Sequence, residues 1–237
     1  MRPAIAIFCL IVAGVVMAAM VSLRTPHPDP LPDEAPPTPP PVTKTDPKAT
    51  AKENEDAQTK FDKAKVGAIR ATLDVGSMVD GKDGKKEYVS RGTIEMEFYP
   101  KAAPKTVAHL KALSDKNFWD GIKVHRVDEM VAQMGDPASR DVDPKDFELK
   151  GIGNGGSGES VPLEVDAKLP NLQYTVGMAR TSDPNSGDSQ IYINLVDNQA
   201  GFGYNYCVFG RVVSGTDVVG KITKGDVIRH LQIYDGR

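Results

Sequence analysis

Arg126 stands in an apolar run, between Val124 and Val127 and just ahead of Met130 and Val131, and an amide, Gln133, follows seven residues later. A guanidinium cannot give up its charge, so in such a run it must reach an anionic partner or the mouth of a groove. Asp128, Glu129 and Asp136 are the nearby carboxylates, and a strand-end arginine paired with one of them is the plainest account. The chemical account is that a fixed cation beside an apolar wall acts as a donor, stronger where water is thinned out. This stretch alone leaves both accounts open.

Other residue patterns that could do chemistry do not hold together. Gly151, Gly153 and Gly156 satisfy GxGxxG, but charged residues Lys145 to Lys150 precede them and Pro162 follows. The strand before and helix after that a dinucleotide site requires are missing, so this reads as a glycine-rich surface loop. Asp141, Asp143 and Asp146 lack the glycine and terminal glutamate of a calcium loop, and His27, His109, His125 and His230 show no metal spacing. No GxSxG elbow is present. Cys9 and Cys207 lie in apolar runs, so no disulfide framework is implied, and Cys207 reads as a small buried hydrophobe. No cofactor or metal is expected.

The elements that must position Arg126 follow from periodicity. Ile122 to Val127 and Met130 to Met134 read as two strands around the Asp128-Glu129 break. Upstream, Ala68 to Met78 reads as a first strand, and Val79 to Glu87 supplies the Asp-Gly chemistry of a hairpin turn. Gly92 to Tyr99 alternates Ile94, Met96 and Phe98 with Glu95 and Glu97, a half-buried strand. Pro104 opens a helix to Ser114, with Val107, Leu110 and Leu113 on one face. Short strands continue to the end, and Asp217 to Ile222 offers one further helical turn. Many short strands with about two helices indicate a closed antiparallel barrel.

The 237 residues are 40% apolar, enough for one domain of ordinary size with a core that needs no staples. A net charge of −3 argues against nucleic acid as the main partner. Residues 1–24 read as a signal peptide or transmembrane anchor: Arg2 precedes about 21 uncharged residues, Pro3 to Leu23. The run is long for a cleaved signal, and Val16-Met17-Ala18 is only a passable cleavage site. Either form predicts export. Residues 25–66 read as a disordered linker, in which ten prolines between Pro26 and Pro47 exclude helix and sheet. An extended spacer of this kind reaches on the order of 70 Å. Ala51 to Lys65, charged and with Phe61 as its one large apolar residue, reads as a solvated tail or a short marginal helix. The folded domain is expected over 67–237.

Five blocks in this order carry a resemblance: Gly92 to Leu113, Asn117 to Val127, Gln133 to Pro137, Gly177 to Asn198 and Tyr206 to Ile222. Together they resemble the cyclophilin family of peptidyl-prolyl cis-trans isomerases, with MARTSDP, SQIYIN and YCVFGRVV closest to its bacterial members. The resemblance implies a mainly β fold, a closed eight-stranded antiparallel barrel capped by two helices. It implies isomerisation of X-Pro bonds in exported proteins as they fold, by a monomer whose partners are proline-containing and unfolded polypeptides. Arg126, in HRV, matches the family's catalytic arginine, and Gln133 the glutamine that contacts the substrate backbone and helps orient it. Tyr192 and Tyr206 match positions lining the proline pocket, and Ala179, Arg180 and Gln190 those that bind the residues before the proline. His125 is expected to be a structural histidine hydrogen-bonded within the sheet. The family's counterpart of the glycine-rich loop borders the substrate groove.

Such an activity needs no nucleophile, acid or metal. Resonance holds the peptide bond planar behind a barrier of about 18–20 kcal/mol. An apolar pocket for the pyrrolidine ring and a donor aimed at the pyramidalising prolyl nitrogen lower it. Two departures from the family pattern bear on that pocket. The spacing from HRV to the glutamine is one residue short, so Met130 and Val131 stand where phenylalanine and methionine usually form the floor. The loop that usually brings tryptophan or phenylalanine and leucine is abbreviated to DNQAGFGYN, with Phe202 the candidate replacement. Weak binding of cyclosporin-type cyclic peptides is expected. A binding module of the same fold with little catalysis, and an envelope assembly subunit, are the alternatives to an enzyme.

Overall fold

The structure, a computed structural model, describes residues 47–65 and 67–235; residues 1–24 and most of the proline-rich spacer lie outside them. Among the described residues no helix is long and apolar enough to cross a membrane. Eight strands form one antiparallel sheet: β1 Ile69–Asp80, β2 Lys86–Phe98, β3 Val124–Val127, β4 Val131–Met134, β5 Thr175–Met178, β6 Ile191–Asn194, β7 Val208–Ser214 and β8 Val227–Tyr234. Their order across the sheet is β3-β4-β6-β5-β7-β2-β1-β8.

Strand alternation sets the core. Leu73 and Val75 on β1 and Ile94, Met96 and Phe98 on β2 are fully buried, and Leu73 lies opposite Ile94 and Ala71 opposite Met96. The helix expected at Pro104 is α2, Pro104–Ser114, and it buries Val107, Leu110 and Leu113 as its periodicity requires. Its first free amides, Lys105 and Thr106, donate to the Glu164 carboxylate at 3.0 and 2.8 Å, so a distant residue caps it. The late helical turn is present as Thr216–Val219.

Two expectations need correction. The eight strands do not close into a continuous barrel ladder, because β3 and β8 are the ends of the order and share only one bridge, Lys123 to Val227, outside β3 itself. The Gly121 and Val124 amides donate to Ile228 and Asp226, and the Ile228 amide donates to Ile122. Beyond that seam the free edge of β8 goes to α2: Ser114 Oγ donates to the Leu231 carbonyl and accepts from the Ile233 amide. A hydroxyl thus takes the bonds that a neighbouring strand would have made.

The second correction concerns residues 25–66. Pro47–Ala64 is an 18-residue helix, α1, whose C-terminal half is not a solvated tail. Phe61, 4% exposed, packs with Ala64, Tyr99 and Val208, and the Arg211 guanidinium lies 5.7 Å from its ring centre. One aromatic anchor on the sheet supplies the tertiary burial that a polar helix lacks by itself.

Candidate active site

Counting residues along β3 shows why Arg126 faces outward. Val124 lies opposite Met134 and both are fully buried, so simple alternation would send residue 126 into the core as well. The register shifts between Val124 and Arg126, and His125 is the extra residue of a β-bulge. The bulge turns Arg126 to the outer face, opposite Gln133. Gln133 lies opposite Tyr192 on β6, and Tyr192 opposite Gly177 on β5. Arg126, Gln133 and Tyr192 therefore form one row across three strands. Gly177 ends the row because a Cβ there would overlap the Tyr192 ring and hydroxyl.

Beside this row lies an apolar cluster of Val131, Tyr192 and Phe202, with Met130, Ala179 and Tyr206 packed against it. The Tyr192 ring meets Phe202 edge-on at 5.8 Å and Tyr206 edge-on at 6.0 Å. Phe202, on the short helix α3 Gln199–Phe202, lies in this cluster against both tyrosines. Arg180 lies 4.8 Å over the Tyr206 ring, and its Nε and Nη1 donate to the Asn205 and Thr181 carbonyls. Neither Arg126 nor Gln133 is among its hydrogen-bond partners, so its link to the row is through the aromatic cluster.

The polar partners divide into two separate groups. Arg126 Nε donates to Asp128 Oδ2 at 2.7 Å, and its Nη2 is 2.6 Å from the same oxygen. Gln133 does not bond Arg126, in contrast to the orienting role implied by the resemblance. Its Nε2 donates to Gln190 Oε1 at 2.8 Å, and Gln190 Nε2 donates to the Gly153 and Gly155 carbonyls at 2.7 and 2.8 Å. The glycine-rich loop is therefore tied to the row, and the Gly153 and Gly155 amides are held from behind by buried Asp136 at 2.6 and 3.0 Å.

Ionisable groups follow their surroundings. Burial works to raise the Asp128 pKa, but the Val131 and Met130 amides and Arg126 outweigh it and hold the carboxyl below its usual value. Burial keeps the Tyr192 hydroxyl protonated well above the ordinary phenol range. His125 is 7% exposed and neither ring nitrogen has a hydrogen-bond partner, contrary to the expected bonding within the sheet. The bulge places its ring against Gly153 rather than against a strand acceptor. Burial lowers its pKa from 6.5 to about 4, against the opposing pull of Asp136. Cys207 is buried, as expected, with its thiol pushed up to about 12.

Sequence reasoning missed the polar layer under this cluster. The Tyr192 hydroxyl and Asn194 Nδ2 both donate to Asn171 Oδ1, Asn194 Nδ2 also to Thr175 Oγ1, and Asn198 Nδ2 to Asn194 Oδ1 and the Met130 carbonyl. Asn171, Thr175, Asn194 and Asn198 are all buried. These partners are scattered along the chain and no local pattern marks them. An outward donor beside an aromatic cluster, floored by a satisfied polar layer, sets an apolar face next to a fixed hydrogen-bond donor.

Comparison with known proteins gives this arrangement a family. The family model for the cyclophilin type peptidyl-prolyl cis-trans isomerase/CLD matches residues 86–234. The chain is 40% identical over 136 residues to a "Probable peptidyl-prolyl cis-trans isomerase" of Brucella abortus (strain 2308), covering 56% of this chain and 68% of that one. It is 30% identical over 141 residues to "Peptidyl-prolyl cis-trans isomerase B" of Bacillus subtilis (strain 168), covering 59% and 90%. Among solved structures, a cyclophilin type peptidyl-prolyl cis-trans isomerase of Cryptosporidium parvum superposes with TM-score 0.55 at 18% identity, over 71% of this chain and 99% of that one. The same protein crystallised in the presence of the dipeptide Ala-Pro superposes with TM-score 0.53, over 70% and 99%.

Proposed function

Since the chain belongs to the cyclophilin-type peptidyl-prolyl cis-trans isomerases, we propose that Arg126 carries its isomerisation of X-Pro bonds, donating to the prolyl nitrogen as the amide twists. The pyrrolidine ring is held by the cluster of Val131, Tyr192, Phe202 and Tyr206, and Gln133, Gln190, Ala179 and Arg180 bind the flanking peptide. The observation that carries this reading is the row that sets Arg126 and Gln133 on the outer face beside that cluster. A donor aimed at a nitrogen losing its resonance binds the twisted state better than either planar one, which is what acceleration requires.

The clients are exported polypeptides. Support comes from the uncharged run at residues 3–23 and the prolines after it, which suit an exported chain held on the outer side of the membrane, or released there after cleavage. In this reading 1–24 is the signal or anchor, the spacer follows, and the catalytic unit acts as a monomer.

The test is the cis/trans exchange rate of a short X-Pro peptide, measured by NMR with the full chain and with Arg126→Ala. The wild type should accelerate exchange and the variant should lose most of that acceleration. Exchange unaffected by either protein, with peptide-induced shifts around Tyr192 and Gln190, would make this a proline-peptide binding module instead.

A further inference from the structure

The position of Arg126 rests on a residue outside the family resemblance. Asp128 uses its two carboxylate oxygens for different tasks. Oδ1 accepts from the Met130 and Val131 amides at 2.8 and 2.9 Å and so folds the turn between β3 and β4. Oδ2 accepts from Arg126 Nε at 2.7 Å and lies 2.6 Å from Nη2. The turn is itself fastened from the other side, because the Met130 carbonyl accepts from the Leu195 amide at 2.8 Å and from Asn198 Nδ2 at 2.9 Å. Gln133 is engaged elsewhere, with Gln190.

We propose that Asp128 is the positioning residue for Arg126, the carboxylate that fixes one edge of the guanidinium and leaves Nη1 to donate to the prolyl nitrogen. This rests on the reading of Arg126 given above. A long arginine side chain on a strand end has many rotamers, and freezing it before substrate arrives removes that ordering from the barrier. The spacing supports the assignment. The hairpin that is one residue short leaves a two-residue loop, Glu129 and Met130, and makes residue 128 the first position past the strand that carries Arg126, where its amide closes the turn on the Val131 carbonyl. A carboxylate there reaches both the turn amides and the guanidinium. Asp128 is thus distinct in role from Gln133, which holds the glycine-rich loop through Gln190.

The experiment uses the full chain and the same peptide exchange measurement, on wild type, Asp128→Asn, Arg126→Ala and the double variant. The asparagine keeps a side-chain oxygen for the Met130 and Val131 amides and loses the charge that holds Arg126. Asp128→Asn is expected to lower the saturated exchange rate about tenfold, the scale of one lost charge-assisted contact to a positioned donor, with peptide affinity changed less than about twofold. In the Arg126→Ala background the same substitution should have no further effect, since there is no guanidinium left to place. A turn that matters only for folding would show the same loss in both backgrounds, and that result overturns the proposal, as does an Asp128→Asn rate equal to or above wild type. If the Met130 and Val131 amide signals show that asparagine opens the turn, Asp128→Ser keeps a neutral acceptor and carries the same expectation. A wild type that does not accelerate exchange, or an Arg126→Ala variant as fast as wild type, overturns the reading of Arg126 itself, and is visible in those two samples alone.

Discussion

Protonation of His125 should make this protein sensitive to acid well before its carboxylates titrate. The ring is buried, both nitrogens are without partners, and its pKa falls from 6.5 to about 4. In the unfolded chain the same residue titrates near 6.5. Between those values the unfolded state binds a proton that the folded state refuses, so the stability contribution is whole above about pH 6.5 and is lost as pH falls towards 4. At 1.36 kcal/mol per pKa unit, the loss by pH 4.5 is about 2.5 kcal/mol, a large part of a typical stability of 5–15 kcal/mol. The assay is urea unfolding at pH 7.5 and 4.5 for the wild type and His125→Leu. Other titrating groups are common to both proteins, so the change with pH in the difference between them isolates residue 125. The stability difference should move by about 2.5 kcal/mol in favour of the leucine variant on acidification. A difference that stays constant with pH would show that His125 is solvated or partnered in the folded protein, and the argument from burial would be wrong.

Other outcomes follow from the same contacts. Gly177→Ala should cost about 1–3 kcal/mol in urea unfolding, since the new methyl displaces the Tyr192 ring and breaks its hydroxyl's bond to Asn171, which keeps only the Asn194 amide as donor; a change under about 0.5 kcal/mol would mean the ring sits elsewhere. Phe61→Ala should strip hydrogen-exchange protection from α1 while leaving β2 protected, because one ring anchors that helix to Tyr99. Cys207 should react with iodoacetamide only as fast as the protein unfolds, its thiol being buried and raised to about 12. Cyclosporin-type cyclic peptides should bind weakly by calorimetry, as Tyr192 and Phe202 are 3% and 5% exposed and packed on one another; submicromolar affinity would refute this.

Helix α2 was legible to the residue because proline, a hydrophobic period and a polar face all agree over eleven positions. The residues of the aromatic cluster were singled out by family wording around Tyr192 and Tyr206, and the structure packs them together. The bulge at His125 was not, since both its neighbours are ordinary strand residues and only the pairing partner reveals the extra count. The burial of α1 depends on Phe61 finding Tyr99, a contact that its own polar sequence does not announce. Asp128 was visible as one of three nearby carboxylates, but choosing among them required the turn geometry that aims Oδ2 at Arg126. The polar layer beneath Tyr192 joins residues from three separate stretches of chain, around Met130, Asn171 and Asn194, each unremarkable alone.

The placement of β8 has a consequence for the order of events in folding. The last strand of the chain pairs along the first, Arg70 opposite Tyr234, and its start also makes the seam with Ile122 to Val124. During synthesis, β1 through β7 would emerge with two incomplete edges, one on β1 and one ahead of β3. Neither can be completed until residues 226–234 have left the ribosome. Long-range pairing of this kind pays its loop-closure entropy before any contact repays it, which slows the final step. An isomerase of this topology is thus itself a late folder, its outer row assembled but its sheet unsealed until the final strand arrives.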